Sequence, residues 1–300
     1  MIESGPMKVL VTGANGQVGW ELCRQAEEFG FVVLKTDYQE LDITDAAAVA
    51  KFVAQEKPQI IINSAAYTAV DKAEEEQERA YAINALGPKN LAEAAHSAGI
   101  PLLHISTDYV FSGNKLTAYF EDDQPGPLGV YGETKLAGEN YVQATLAQYV
   151  TLRTSWVFGI EGANFVKTMI RLGRERTELN VVADQKGNPT FAGDIAAALL
   201  KIAKRYESGQ PITWGTYHFS GRGTTTWHGF AEAIFNEAIS QGVLANRPRV
   251  NAITTAQYPT PAQRPINSEL NCDRFIQTFP EIGQIDWQIG LSKLIESLKQ

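Results

Sequence analysis

The run VLVTGANGQVGWEL, residues 9–22, sets Gly13, Gly16 and Gly19 three residues apart, after a β-branched stretch and at the head of an amphipathic one. In that position each glycine has its own task. The first permits a tight turn, the second lets backbone approach a pyrophosphate, and the third lets the next helix lie close to the strand with its N-terminus facing the anion. Taken alone, a glycine triplet is a weak signal. Here the following strand-like run, FVVLKTD (31–37), ends in Asp37, eighteen residues past Gly19, where a carboxylate accepts from adenosine ribose hydroxyls. Gly13, Asn15, Gly16, Gln17, Val18, Gly19 and Asp37 are therefore the candidate residues of a dinucleotide site.

Working outward, QIIINSAA (59–66), PLLHISTD (101–108) and YVTLRTSWVF (149–158) also read as strands bounded by Gly, Pro or Asp, with amphipathic stretches between them. Strand and helix alternating at this spacing predict an α/β fold, a Rossmann-type doubly wound parallel sheet with right-handed crossovers. After about residue 160 the pattern loosens into a smaller, mixed α/β lobe. The expected organisation is a dinucleotide-binding domain over 1–158 and a mainly substrate-binding lobe over 159–300, with segments near 191–206 and 215–221 returning to the first. Within the second, TTAQYPTPAQRPINSELN (254–271) has no periodicity and reads as a binding loop. The acidic run EEEQE (74–78) reads as a solvated helix face on which Glu75 pairs with Arg79.

Composition narrows the function classes. Hydrophobic residues make up 44% and charged residues 20% of the 300, and no apolar run approaches the ~18 residues of a membrane span. A formal charge of −8 and no Lys/Arg cluster interleaved with aromatics exclude nucleic acid as a partner. The opening MIESGP is acidic and leads directly into a strand, so it reads as neither a signal nor a transit peptide. Cys23 and Cys272 lie far apart and read as reduced thiols of a cytoplasmic protein. The four histidines form no metal motif, His104 reading as a satisfied core residue, and no catalytic metal is expected.

Two further stretches carry chemistry. LDIT (41–44) is a turn in which Asp42 and Ile43 are placed to flank an adenine, while Thr44 or Asp45 caps the next helix. Ala65 and Ala66, past the third strand, complete the candidate cofactor set. An acid at position 37 disfavours a 2′-phosphate, but Lys35 lies close by, so NADH and NADPH both stay open. ISTDYVF then puts Thr107 at a strand's carboxyl end, where ligands bind in an open α/β sheet, and VYGETKLAGEN (130–140) puts Lys135 one helical turn beyond Tyr131. A nearby ammonium is expected to favour the phenolate and lower the tyrosine pKa, making Tyr131 a tunable proton donor. Asn63 and Asn84 are polar residues of the third strand and the helix after it; Asn84 either bridges backbone and Lys135 through water or bends its helix.

These motifs together resemble the extended branch of the short-chain dehydrogenase/reductase superfamily, nearly end to end. NSAAYTAVDKAEEE (63–76), STDYVF (106–111), YGETKLAGE (131–139), RTSWVFG (153–159) and YPTPAQRPINSELN (258–271), in that order, narrow the resemblance to its reductases of dTDP-linked keto sugars. The resemblance implies hydride transfer from the nicotinamide of NADPH or NADH to the C4 ketone of dTDP-4-dehydro-β-L-rhamnose, giving dTDP-β-L-rhamnose for surface polysaccharide. It implies that Tyr131 protonates the forming alkoxide, Lys135 binds the nicotinamide ribose, and Thr107 hydrogen-bonds the sugar oxygen. It also implies that Val70, Asp71, Tyr109 and Trp156 line the sugar pocket, and that Asn164 and Arg264 face the diphosphate. Some members are homodimers with a metal, Mg2+, held between acids of two subunits; Gly193 and Asp194 fall where such an acid would be sought, and no ligand set follows. Two alternatives stay open: a non-catalytic, NADP-binding regulatory relative, and a sugar-nucleotide epimerase or dehydratase, for which Asp108 is present without a following glutamate.

Overall fold

Alternation within KVLVT sets the layering. In the computed structural model, which describes residues 5–299, strand β1 (Lys8–Thr12) turns Val9 and Val11 into one buried cluster and Leu10 into another. That is the signature of a strand covered on both faces. The remaining strands are β2 (Val32–Thr36), β3 (Ile60–Asn63), β4 (Leu102–Thr107), β5 (Tyr149–Thr154), β6 (Val157–Phe158), β7 (Glu178–Val182), β8 (Lys186–Gly187), β9 (Thr190–Phe191), β10 (Gly215–His218), β11 (Thr225–Thr226) and β12 (Arg249–Ile253). The helices are α1 (Gln17–Gln25), α2 (Ala46–Glu56), α3 (Val70–Ala73), α4 (Gln77–Tyr81), α5 (Gly87–Ala98), α6 (Val130–Thr145), α7 (Phe165–Glu175), α8 (Ala192–Glu207), α9 (Trp227–Ser240), α10 (Asp273–Thr278) and α11 (Trp287–Ser297).

Six strands form one sheet in the order β10-β5-β4-β3-β1-β2, every pair parallel. Helices α1 and α8 pack together on the Val9/Val11 face, while α2, α5 and α6 cover the Leu10 face. Winding reverses at β1, because β2 lies on one side of it and β3 on the other. The crevice beyond the carboxyl ends of β1 and β3 is thus the switch point at which open α/β sheets bind ligands.

A separate cluster of Phe158, Val166, Ile170, Phe230, Ile234, Phe235, Trp287 and Leu291 forms a second buried core. Phe230, Ile234 and Ala238 recur at helical spacing on one side of α9. Each such aliphatic or aromatic side chain, fully buried, contributes about 1.5–3 kcal/mol. No helix among the described residues is long and apolar enough to cross a membrane.

Two local expectations change. The run 149–158 is not one strand: β5 stops at Thr154, Trp156 takes a φ of 47°, and β6 then pairs with β9. Arg79 pairs with Glu76 rather than Glu75, because Glu76 is the N-cap of α4 and lies three residues before Arg79. Residues 1–4 of the acidic opening lie outside the described residues.

Candidate active site

Thr107 is the last residue of β4, and its hydroxyl accepts from the Tyr109 amide at 3.2 Å, capping the tight turn Asp108–Val110. Helix α6 lies hard against that turn because Gly132 has no side chain: a Cβ there would stand 2.2 Å from the Tyr109 carbonyl oxygen. Tyr131, next to Gly132, meets the Tyr109 ring edge-on with centroids 5.3 Å apart. One turn further, Lys135 is buried and donates from Nζ to the Ile105 carbonyl on β4 at 2.6 Å. The structure therefore brings Thr107, Tyr131 and Lys135 together.

The electrostatics depart from the expected lowering of the tyrosine. Burial pushes the Tyr131 phenol up to about 12, with the Thr107 hydroxyl pulling down and the Asp108 charge pushing up. Burial also brings Lys135 down to about 8, opposed by Glu139 one turn along α6. Desolvation disfavours whichever form is charged, so it acts in opposite directions on the two groups. Near neutral pH the phenol keeps its proton, which is the form a donor requires.

Beneath the cofactor crevice runs a buried polar row, Thr12, Asn63 and His104, in register across β1, β3 and β4. Asn63 Oδ1 accepts from the Thr12 hydroxyl at 2.7 Å and the Ala65 amide at 3.1 Å, which fixes the orientation of its side-chain amide. Its Nδ2 then donates to His104 Nδ1 at 3.0 Å, so the ring proton sits on Nε2. His104 is not the satisfied core residue expected, because Nε2 is buried with no hydrogen-bond partner among the described residues. Burial first, and the Lys135 charge second, hold the ring neutral, well below the usual histidine range. Asn84 bridges differently from either expectation: within a segment of π geometry over Ala82–Leu86, it accepts from the Tyr67 amide and donates to the Thr134 hydroxyl.

At the crevice, Gly13 has a φ of 68° and a Cβ on it would stand 2.5 Å from the Ala65 nitrogen; a Cβ on Gly19 would stand 2.0 Å from the Gly13 carbonyl oxygen. Gly16 caps α1 with no side-chain hydrogen bond. This turn, closed to side chains and open at a helix N-terminus, fits a pyrophosphate. Asn15 and Asp37 meet, the Asn15 amide donating to Asp37 Oδ2 at 2.9 Å, while Oδ1 takes the Tyr38 amide at 2.7 Å. Each carboxylate oxygen keeps a second lone pair for a ribose hydroxyl. Asp37→Ala is expected to raise the NADPH-to-NADH ratio of kcat/KM by about tenfold or more, since a charged hydrogen bond to the 2′-hydroxyl is lost and a repulsion removed. Steady-state kinetics with both cofactors checks this, and an unaltered ratio would take Asp37 off the ribose.

Other candidates are engaged locally. Val18 and Ile43 are buried in the cores on the two sides of the sheet, and Asp42 accepts from both the amide and the hydroxyl of Thr44. Ala65 and Ala66 are half-buried at the carboxyl end of β3, and Val70 opens α3. Asn164 does not stand free toward a diphosphate: it caps α7 and donates to Gln17 Oε1 and the Gly159 carbonyl. Arg264 is likewise engaged, forming a two-pronged pair with Asp71 at 2.6 and 2.9 Å. Trp156 stacks on Trp227, centroids 3.7 Å apart, and lies so close to Gly187 that a Cβ there would stand 2.6 Å from the indole. Sequence reasoning missed Trp227, whose position gives no signal, and the buried Glu139–Arg153 pair; Glu139 lies four residues after Lys135, which does place it on the same face. Among the described residues no group of three or more His, Cys, Asp or Glu side chains is arranged to hold a metal ion, and no step is derived through one.

A parallel sheet wound in this order, a glycine turn at its switch point and a tyrosine and lysine beside the end of the fourth strand define a nicotinamide-dependent oxidoreductase of the short-chain type. Within that class the chain belongs to the RmlD substrate binding domain family, whose profile matches residues 7–300. It is similar to the dTDP-4-dehydrorhamnose reductase of Aggregatibacter actinomycetemcomitans, 48% identical over 288 residues covering 96% of this chain and 98% of that one. Among solved structures it is similar to a dTDP-4-dehydrorhamnose reductase of Clostridium acetobutylicum, with a TM-score of 0.90, 42% identity and coverage of 98% and 100%. It is also similar to that of Bacillus anthracis in complex with NADP, with a TM-score of 0.88, 38% identity and coverage of 97% and 99%.

Proposed function

We propose that the chain reduces the C4 ketone of dTDP-4-dehydro-β-L-rhamnose to dTDP-β-L-rhamnose with NADPH or NADH. The observation that carries this reading is the convergence of Thr107, Tyr131 and Lys135 at the end of β4, in a chain whose relatives of nearly equal length are reductases of that name. The bound nicotinamide supplies a hydride to C4. As the carbonyl electrons move onto the sugar oxygen, Tyr131 gives that oxygen its phenolic proton and is left as the phenolate. An alkoxide is the stronger base, so the proton moves downhill. Lys135, held by the Ile105 carbonyl, stabilises the phenolate and offers further N–H donors to the nicotinamide ribose. Donors aimed at the forming oxyanion favour the transition state over the ketone.

The same proposal takes the dTDP-sugar as the substrate, a homodimer as the working form and the cytoplasm as its place. Enzymatically generated dTDP-4-dehydro-L-rhamnose, mixed with the protein and each cofactor and followed by nicotinamide absorbance, tests the reaction, with the product sugar identified by NMR. Cofactor oxidation yielding dTDP-L-rhamnose is the expected outcome. Binding of NADPH without its consumption would instead support a regulatory role, and a different product sugar an epimerase or dehydratase.

A further inference from the structure

The Asn164 side chain has no donor left for a diphosphate. Its Oδ1 accepts from the Lys167 amide at 3.1 Å, as the cap of α7. A main-chain N–H can only donate, so the other end of the side chain is Nδ2, whose two protons go to the Gly159 carbonyl at 2.8 Å and to Gln17 at 3.0 Å. The Gln17 atom it meets is therefore the acceptor, Oε1. One main-chain amide thus fixes the orientation of two side-chain amides that lie 147 residues apart in sequence. With Oε1 held, Gln17 Nε2 points the other way and makes no hydrogen bond among the described residues.

Gln17 is the first residue of α1, directly after Gly16, so its side chain leaves the helix at the N-terminus that closes the glycine turn. The loop between β6 and α7 is folded over it. A Cβ on Gly162, where φ is 76°, would stand 3.2 Å from Gln17 Cγ, and one on Gly159 would stand 3.5 Å from Oε1. Lys167 Nζ ties this loop back to α7 through the Gly162 carbonyl at 2.9 Å. The stem of Gln17 is packed and its oxygen engaged, which leaves the two Nε2 protons for a ligand.

We propose that Asn164 is a positioning residue for the dinucleotide: it holds Gln17 Oε1 so that the Nε2 protons are presented to the pyrophosphate in the glycine turn. The inference rests on the reading of that turn as a dinucleotide site, and not on which sugar is reduced. Main-chain N–H groups at a helix N-terminus already favour an anion there, and a side-chain amide adds two donors. A free glutamine would have to surrender rotamers to supply them. Here that ordering is completed when the chain folds, so binding does not bear its entropy.

A double-mutant cycle on cofactor affinity, read by nicotinamide fluorescence with NADH and with NADPH, tests this without any sugar. Gln17→Met keeps a stem under Gly162 and removes both donors, whereas Asn164→Ser keeps a capping oxygen for Lys167 and no longer holds Gln17. Gln17→Met is expected to weaken both cofactors about tenfold, the loss of a hydrogen bond to a charged group, and Asn164→Ser about threefold, the loss of preorganisation alone. Both factors should be the same for NADH and NADPH, which share the pyrophosphate. In the Gln17→Met background Asn164→Ser should have no further effect, because a positioning residue acts only through the group it positions. Urea midpoints check that α7 stays folded; Asn164→Asp, which caps as well and lacks the donor, takes the place of Asn164→Ser if it does not, with the same non-additivity expected. Unchanged affinity in either single variant, or losses that multiply in the double one, overturns the inference. A wild type that binds neither cofactor overturns the dinucleotide reading itself, and this inference with it.

Discussion

Tyr131→Phe is expected to lower kcat by roughly 10²–10⁴-fold, the usual worth of a positioned acid, which is about 3–5 kcal/mol of barrier. The ring stays, so its edge-on packing against Tyr109 and the close approach allowed by Gly132 are kept. NADPH affinity, read by fluorescence titration, should change little. The loss should thus fall on turnover rather than on cofactor binding, which separates a missing proton from a misfolded site. A kcat within about threefold of wild type would remove Tyr131 as the acid. The alkaline side of the pH profile offers a second check. With Lys135 brought down to about 8, its ammonium is lost as the pH rises through that value, and the phenolate loses its stabiliser. The wild-type rate should therefore decline above pH ~8, and Lys135→Met should show no such limb.

The second large effect concerns stability. Arg153 and Glu139 have side chains only 6% exposed and are joined at 2.7, 2.9 and 3.2 Å. Arg153 also reaches the Glu121 carbonyl at 3.2 Å and sits over the Phe111 ring at 5.1 Å. Glu139→Ala would leave that guanidinium buried without its counter-charge. Its neighbour His218, brought down to about 3 by burial first and the Arg153 charge second, is neutral and cannot compensate. Breaking a buried pair in this way costs about 3–5 kcal/mol. The urea midpoint should fall accordingly, whereas replacing both partners together, Glu139→Leu with Arg153→Met, should recover much of the loss. A single-variant midpoint corresponding to less than about 1 kcal/mol would mean that water or another group reaches Arg153.

Features decided over short stretches of chain were legible in the sequence. Val9, Leu10 and Val11 declare a strand buried on both faces without any knowledge of its neighbours, and Gly13, Gly16 and Gly19 declare the turn after it. The four-residue spacing of Tyr131 and Lys135 sets their common face in the same way. Features that arise only when distant segments meet were not legible. Asp71 and Arg264 are 193 residues apart, and nothing local to either names the other as its partner. The sign of the Tyr131 shift failed for a related reason: the lysine is near in sequence but is not among the groups that move the phenol, whereas desolvation comes from everything packed around it. Trp156 is a third case. An indole in a β-branched run reads as strand, and only the crowding of Trp227 and Gly187 around it explains the turn.

That turn has a consequence for observation. Trp156 stands just past the sheet strand β5 and Trp227 opens α9, and the two indoles, 3.7 Å apart, pack on the same buried cluster. Excited states at such a separation mix, and their circular dichroism near 230 nm takes the form of a paired band whose sign follows the handedness of the twist between the two transition moments. The protein thus carries a native optical gauge of how the turn after β5 is seated on α9, readable without label or mutation.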